Sequence, residues 1–413
     1  MRLTTSTRVP CVGALLAGWI CLMPCGADAQ ELQDAVIIGR EFTIFSDTLQ
    51  EERTVLVRVP SLRGDGDARY PVLVLLDGNA WQFHQITAIV LHYETFGRIP
   101  GLIVVGIPST DRVRDLTPPR RHSDSDQWIE GGGGADRFMA FIGDELMPYI
   151  DAHFPTTPYR VLVGGSFGGL FTLHTLATRP EIFDAYLAIS PSVWWDDGAA
   201  VERIEELFQR SDSLDVDLYV TLANEAATAT GSVFGDDVSG MFRGFNELID
   251  LLETQAPAGT SWRYHALPHK IHDMTYFEST YLGLDALFSD WRYPPELVPQ
   301  GMDGLEVFVA SRAEKYGTKR TAPTGWTWFG HQPRFGDPIE DALRFLNGAV
   351  SGESNDPGAY AWLATMFEDH DRLEEALANY EIAARLAEGT DRPADHGFKE
   401  DVVRLQRLVG RRR

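Results

Sequence analysis

Between Tyr70 and Leu267 short β-rich runs alternate with helix-length stretches, and that alternation restricts the chain to a parallel sheet covered by helices on both faces. The runs are Tyr70 to Leu76, Gly101 to Pro108, Tyr159 to Val163, Ala185 to Ser190, Asp217 to Leu222 and Ser261 to Leu267. Two earlier runs, Glu41 to Asp47 and Arg53 to Pro60, are separated by only a few polar residues and predict a leading antiparallel hairpin. Two intervals exceed a simple crossover. Ser109 to Ala135, with Pro118-Pro119 and Gly131 to Gly134, reads as an irregular excursion rather than a helix. Ser192 to Ser213 is the second, opening with Trp194-Trp195. Excursions beyond the carboxyl ends of strands are where open α/β sheets place binding loops.

After Trp291 the strand signal stops and helical periodicity takes over, so a domain boundary is expected near Pro295. The expected organisation is a leader over residues 1–29, an α/β domain over 30–295 and a small all-α domain over 296–413. Within the last, Tyr360, Leu363, Ala364, Phe367, Ala376, Tyr380 and Ala383 occupy the packing positions of a tetratricopeptide helix pair, which the segment Asp356 to Glu388 resembles. Asp337 to Phe345 is read as the second helix of a degenerate preceding unit. Repeats of this kind bury their faces only against neighbours, which implies packing on the α/β domain or a protein partner.

Gly164-Gly165-Ser166-Phe167-Gly168 follows one of the strand runs directly and precedes the helical stretch Leu170 to Thr178. G-x-S-x-G in that setting is a nucleophile elbow, a turn so sharp that the serine takes strained dihedrals and glycines are needed on either side. A serine hydroxyl is a weak nucleophile, so it needs a base, an orienting acid and oxyanion donors. His272 lies in the loop after the last strand, where an α/β-hydrolase delivers its base, and His269 is its rival. Glu225 follows the strand Asp217 to Leu222 and is the candidate acid, with Asp236 and Asp237 as alternatives and a Ser–His dyad without an acid also open. The oxyanion donors are expected to be the amides of Phe167 and Asn79, the latter in the turn Asp77-Gly78-Asn79-Ala80-Trp81. No third ligand accompanies His269 and His272 at metal spacing, so neither a metal nor a cofactor is expected.

Arg2 and Arg8 precede the apolar run Val12 to Met23, and Ala27-Asp28-Ala29 offers a cleavage site before Gln30. This reads as a secretory signal peptide and predicts a periplasmic or secreted protein. Lipidation at Cys25 fits poorly because Pro24 stands where a small residue is expected. Cys11, Cys21 and Cys25 all fall in this leader, so the mature chain carries neither disulfides nor thiolate metal sites. No other stretch approaches the length of a membrane span. A net charge of −24 argues against nucleic acid and anionic membrane as partners.

Four segments together carry a family resemblance: Leu75 to Ala80, Val105 to Pro118, Val163 to Phe171 and Ser190 to Trp195. They resemble the Putative esterase family of α/β-hydrolases, most nearly its siderophore-esterase (IroE- and Fes-like) branch, over about Glu41 to Trp291. The resemblance implies an α/β-hydrolase fold and a serine esterase acting on a small-molecule ester. It favours His272 over His269, because the spacing from His272 through Gly283-Leu284 to Leu287-Phe288 is the family's, and it matches Glu225 to an acidic position seen in relatives. Asp273-Met274 departs from the small residue usual after that histidine. Arg112 and Arg114 would suit an anionic ester such as a catecholate, or else form surface ion pairs. Trp194 and Trp195 would wall a planar acyl group, or pack the excursion onto the sheet; Trp81 is counted with them as a substrate-binding candidate. The expected reaction is ester hydrolysis through an acyl-enzyme on Ser166. Acyl transfer to a sugar and a non-catalytic interaction module are the alternatives.

Overall fold

A computed structural model describes residues 37–60, 68–122, 129–225, 239–292, 294, 301–318, 357–388 and 397–412. The leader with its three cysteines, Asp236 and Asp237, the boundary at Pro295 and the segment Asp337 to Phe345 lie outside the described residues. Residues Ile38–Arg413 form one unit; of the other, Met1–Ile37, only Ile37 is described.

Among the described residues eight strands form one sheet in the order β1-β2-β4-β3-β5-β6-β7-β8. They are β1 (Arg40–Ser46), β2 (Glu51–Arg58), β3 (Tyr70–Leu76), β4 (Ile103–Ile107), β5 (Thr156–Gly165), β6 (Ala185–Ile189), β7 (Ser213–Ala223) and β8 (Ala258–Leu267). β1 and β2 are an antiparallel hairpin and β2 meets β4 antiparallel, whereas β3 to β8 run parallel. The expected strands are all present, with β5, β7 and β8 longer than the runs expected from sequence.

Alternate residues of β3 show how the sheet is covered. Val72, Val74 and Leu76 face one layer, built from α3 (Ala135–Ala140), α4 (Met147–His153), α5 (Phe167–Thr178), α6 (Ala199–Arg210) and α7 (Ser239–Gln255). Leu73 and Leu75 face the other, built from α1 (Ala80–Thr95) and α8 (Tyr276–Leu287). Two departures from the sequence reading concern the excursions. Ser109 to Ala135 contains a five-residue helix, α2 (Arg112–Leu116), and Ser192 to Ser213 is largely the 12-residue helix α6. In α6, Ile204, Leu207 and Phe208 are buried at helical spacing, enough apolar surface to favour a helix over a loop.

The tail begins with α9 (Gly301–Tyr316), and this helix shares the core of the sheet rather than standing apart. Tyr316 is fully buried against Tyr159, Phe288 and Trp291, its hydroxyl bonded to Asp290, while Lys315 bridges Asp217 and Asp290. From the same helix Phe308 joins a separate core made by α10 (Pro357–Asp369), α11 (Leu373–Leu386) and α12 (Phe398–Arg412). Leu363, Ala364, Phe367, Ala376, Tyr380 and Ala383 are buried there and Tyr360 is half-buried.

Candidate active site

Ser166 sits between the last residue of β5 and the first of α5 with φ 58° and ψ −119°. A non-glycine residue holds that conformation only where its surroundings enforce it. Here the Ser166 amide donates to the Ile189 carbonyl at 2.9 Å, and its own carbonyl accepts from Leu170 at 2.9 Å and Ser192 at 3.1 Å. The flanking glycines are obligatory for contact reasons. A Cβ on Gly164 would lie 2.3 Å from the Gly168 carbonyl oxygen, and one on Gly165 2.3 Å from the Tyr276 ring.

β7 and β8 end beside one another, and Asn224 joins their outgoing loops by donating its amide to the Lys270 carbonyl (2.7 Å) and its side chain to the Pro268 carbonyl (3.1 Å). That stitch brings Glu225 to His272. His272 Nδ1 lies 3.0 and 3.1 Å from the two carboxylate oxygens of Glu225, which is 2% exposed. An ionised carboxylate only accepts, so Nδ1 carries the proton and the lone pair is left on Nε2. His269 is engaged elsewhere, exposed and 3.1 Å from Glu278, which Lys270 also contacts. His174 is buried on α5 and bonded to Asp136 at 2.7 Å.

The Phe167 amide opens α5 and so has no acceptor within the helix. The Asn79 amide is placed differently from the sequence expectation. It donates to the Asp77 carbonyl at 2.7 Å, while the Asn79 side chain caps α1. It serves an oxyanion only by sharing or exchanging that bond.

An open cleft of about 480 Å³ is lined by residues including Asp77, Trp81, Ser109, Arg112, Asp273 and Tyr276. Trp81 is 60% exposed on its rim. Arg112 lines the cleft, with Nε 3.0 and 3.1 Å from the Asp77 carboxylate and one terminal nitrogen 3.3 Å from the Gly165 carbonyl. Burial holds the Tyr276 hydroxyl above its ordinary pKa, with Asp77 adding to the effect and Arg112 opposing it.

Arg114 does not face this cleft. Its guanidinium is committed to Glu51 (2.6 and 3.1 Å) and Asp115 (2.7 Å), beside the buried pair Arg53–Asp115. Hydrogen bonding from Arg114 keeps the Glu51 carboxyl below its ordinary range. Trp195 is fully buried, with Nε1 donating to Pro118 O at 3.3 Å and its ring edge-on to Phe167, so it packs the excursion onto the elbow. Trp194 is half-buried with its ring 5.8 Å from that of Phe167. Ser192 and Asp77 lay within motifs singled out by sequence but received no role there. The Ser192 hydroxyl is 3.4 Å from that of Ser166.

Among the described residues no cluster of metal-binding side chains occurs and no helix is long and apolar enough to cross a membrane. The profile of the family described as Putative esterase matches residues 46–267. A siderophore enterobactin esterase of Emericella nidulans is 42% identical over 110 residues, 23% of this chain and 36% of that protein. The ferri-bacillibactin esterase BesA of Bacillus subtilis is 37% identical over 146 residues, 31% of this chain and 50% of that protein. The chain thus spans half or less of the length of these curated relatives. Among solved structures, the IroE-like serine hydrolase from Shewanella oneidensis aligns with a TM-score of 0.60 and 26% identity, covering 76% of this chain and 96% of that one. With a family match extending over more than half its length and the sheet, elbow and strand-end loops described above, the chain belongs to the Putative esterase family of α/β-hydrolases.

Proposed function

We propose that this protein is an exported serine carboxylesterase that hydrolyses a siderophore-type or other aromatic ester through an acyl-enzyme on Ser166. The observation that carries the reading is the strained Ser166 elbow standing at the same sheet edge as the His272–Glu225 pair. Ser166 Oγ attacks the ester carbonyl carbon as His272 Nε2 takes its proton, and the carbonyl electron pair moves onto oxygen. The Phe167 amide, joined by that of Asn79 as it shares or exchanges its bond to the Asp77 carbonyl, stabilises the oxyanion. Collapse breaks the bond to the leaving alkoxide, which receives the proton from the imidazolium and departs as the alcohol. Water then attacks the acyl-enzyme with His272 again taking a proton, and the acid leaves as Ser166 is reprotonated. Glu225 holds the imidazole in the required tautomer and offsets its charge.

The siderophore-esterase activities for which the relatives are named support a siderophore-type ester. Arg112 and Trp81 offer a cation and an aromatic face in the cleft for an anionic, planar acyl group. Export rests on the leader at residues 1–29, and a protein partner on the likeness of 356–388 to a tetratricopeptide pair. Labelling with a fluorophosphonate probe tests the chemistry. Wild-type protein should label and Ser166→Ala should neither label nor hydrolyse p-nitrophenyl esters; unchanged hydrolysis in that variant would end the proposal. A panel of siderophore, feruloyl and simple acyl esters tests the acyl group.

A further inference from the structure

Asp77 has a positive φ of 52° although it is not glycine, and it is only 8% exposed. Its neighbours account for its being held there. The carboxylate accepts from Ser109 Oγ at 2.5 Å and from Arg112 Nε at 3.0 and 3.1 Å, and a Cβ on Gly168 would lie 3.6 Å from Asp77 Oδ2. Its carbonyl accepts the Asn79 amide at 2.7 Å. The guanidinium it binds reaches across to the Gly165 carbonyl, one residue before the nucleophile, and stacks over the Phe167 ring at 5.3 Å. One carboxylate therefore ties the turn after β3, the loop after β4 and both sides of the elbow.

We infer that Asp77 is a positioning residue that fixes the β3 turn against the elbow through Arg112, setting the spacing between the Asn79 and Phe167 amides and the nucleophile. The inference rests on the reading of Ser166 as nucleophile. Its chemistry is geometric: a guanidinium with a carboxylate behind and a carbonyl ahead is held as a strut, and displacement of an oxyanion donor by about 1 Å costs on the order of 100-fold in rate.

The test uses the full-length protein and a neutral p-nitrophenyl ester, with turnover counted per fluorophosphonate-labelled site. Asp77→Asn keeps the size and the Ser109 contact but removes the charge that orients Arg112. It should lower kcat about 10- to 100-fold with KM little changed and the pH profile of kcat unaltered. The double variant Asp77→Asn/Arg112→Gln should lose little more than the more damaging single variant, the signature of coupled residues. A purely structural role would lower the yield or Tm without touching kcat per labelled site. Wild-type kcat in Asp77→Asn, or fully additive losses, would overturn the inference. If Asp77→Asn does not fold, Arg112→Lys serves instead, since an ammonium cannot span both the Asp77 carboxylate and the Gly165 carbonyl. It should lower kcat on the neutral ester in the same way, and an unchanged kcat would overturn the inference equally. Ser166→Ala separates the two failures: if it still hydrolyses ester the nucleophile reading is lost, whereas an inactive Ser166→Ala beside a normal Asp77→Asn removes only the positioning role.

Discussion

Glu225 presents both carboxylate oxygens to His272 Nδ1, at 3.0 and 3.1 Å, from a position sealed at 2% exposure. A bond of this kind fixes which nitrogen is protonated and, in the reaction proposed above, would stabilise the imidazolium formed on deprotonation of Ser166. Glu225→Gln keeps the shape but can offer its amide nitrogen and so stabilise the wrong tautomer. Both Glu225→Gln and Glu225→Ala should lower kcat on a p-nitrophenyl ester by about 10²- to 10⁴-fold. Near-wild-type turnover in both would point to a dyad.

The two arginines paired in the sequence motif should separate cleanly on mutation. Arg112 lies in the cleft and on the elbow, so Arg112→Ala should lower kcat for all esters and raise KM more for an anionic ester than for a neutral one. Arg114 holds Glu51 and Asp115. Arg114→Ala should leave KM for both esters unchanged and appear as lower stability in urea unfolding. A charge-selective KM effect from Arg114→Ala would contradict this assignment.

That separation marks the limit of what the sequence reveals. Strand positions were legible because buried parallel strands are continuous apolar runs punctuated by turns, as at Tyr70–Leu76. The elbow was legible because its strain demands glycine at fixed offsets. The helix α6 was hidden behind Trp194-Trp195-Asp196-Asp197-Gly198, where two aspartates take positive φ before the helix starts. The surroundings of Ser166 were the least legible. Asp77, Ser109, Arg112 and Tyr276 meet only because the ends of different strands share one edge, and no local pattern encodes that meeting. For the same reason adjacent tryptophans diverge, Trp195 buried behind the elbow and Trp194 half-exposed beside it.

Tyr316 makes a prediction about the tail. Its ring is enclosed by Tyr159, Phe288 and Trp291 on a helix from which Phe308 packs with α10 to α12. Tyr316→Ala opens a cavity in the sheet's own core and should cost about 3–5 kcal/mol of unfolding free energy. Turnover per labelled site should survive, because the site lies at the other ends of the strands. An unfolding curve indistinguishable from wild type would show that α9 contributes nothing to the α/β domain.

His174 should make stability depend on pH below about 6.5. It is 2% exposed, bonded to Asp136 from α3 at 2.7 Å, and faces Arg203 of α6 and Arg121 of the preceding excursion. Burial pushes its pKa below the ordinary value; the two arginines push the same way and Asp136 opposes them. The unfolded chain, titrating near 6.5, then binds more protons than the folded chain between the two values. Stability from this residue is therefore fully present above about pH 6.5 and is lost as pH falls toward the folded-state pKa, by about 1.4 kcal/mol for each pH unit between them. Asp136, whose carboxyl is held low chiefly by the His174 hydrogen bond, loses its contribution only at more acidic pH. Urea unfolding of wild type and His174→Gln at pH 7.5 and 5.5 isolates the effect, because the other titratable groups, the remaining histidines included, are present in both proteins. The drop between the two pH values should be smaller in His174→Gln; an equal drop would mean that the buried imidazole accepts a proton without cost to the fold.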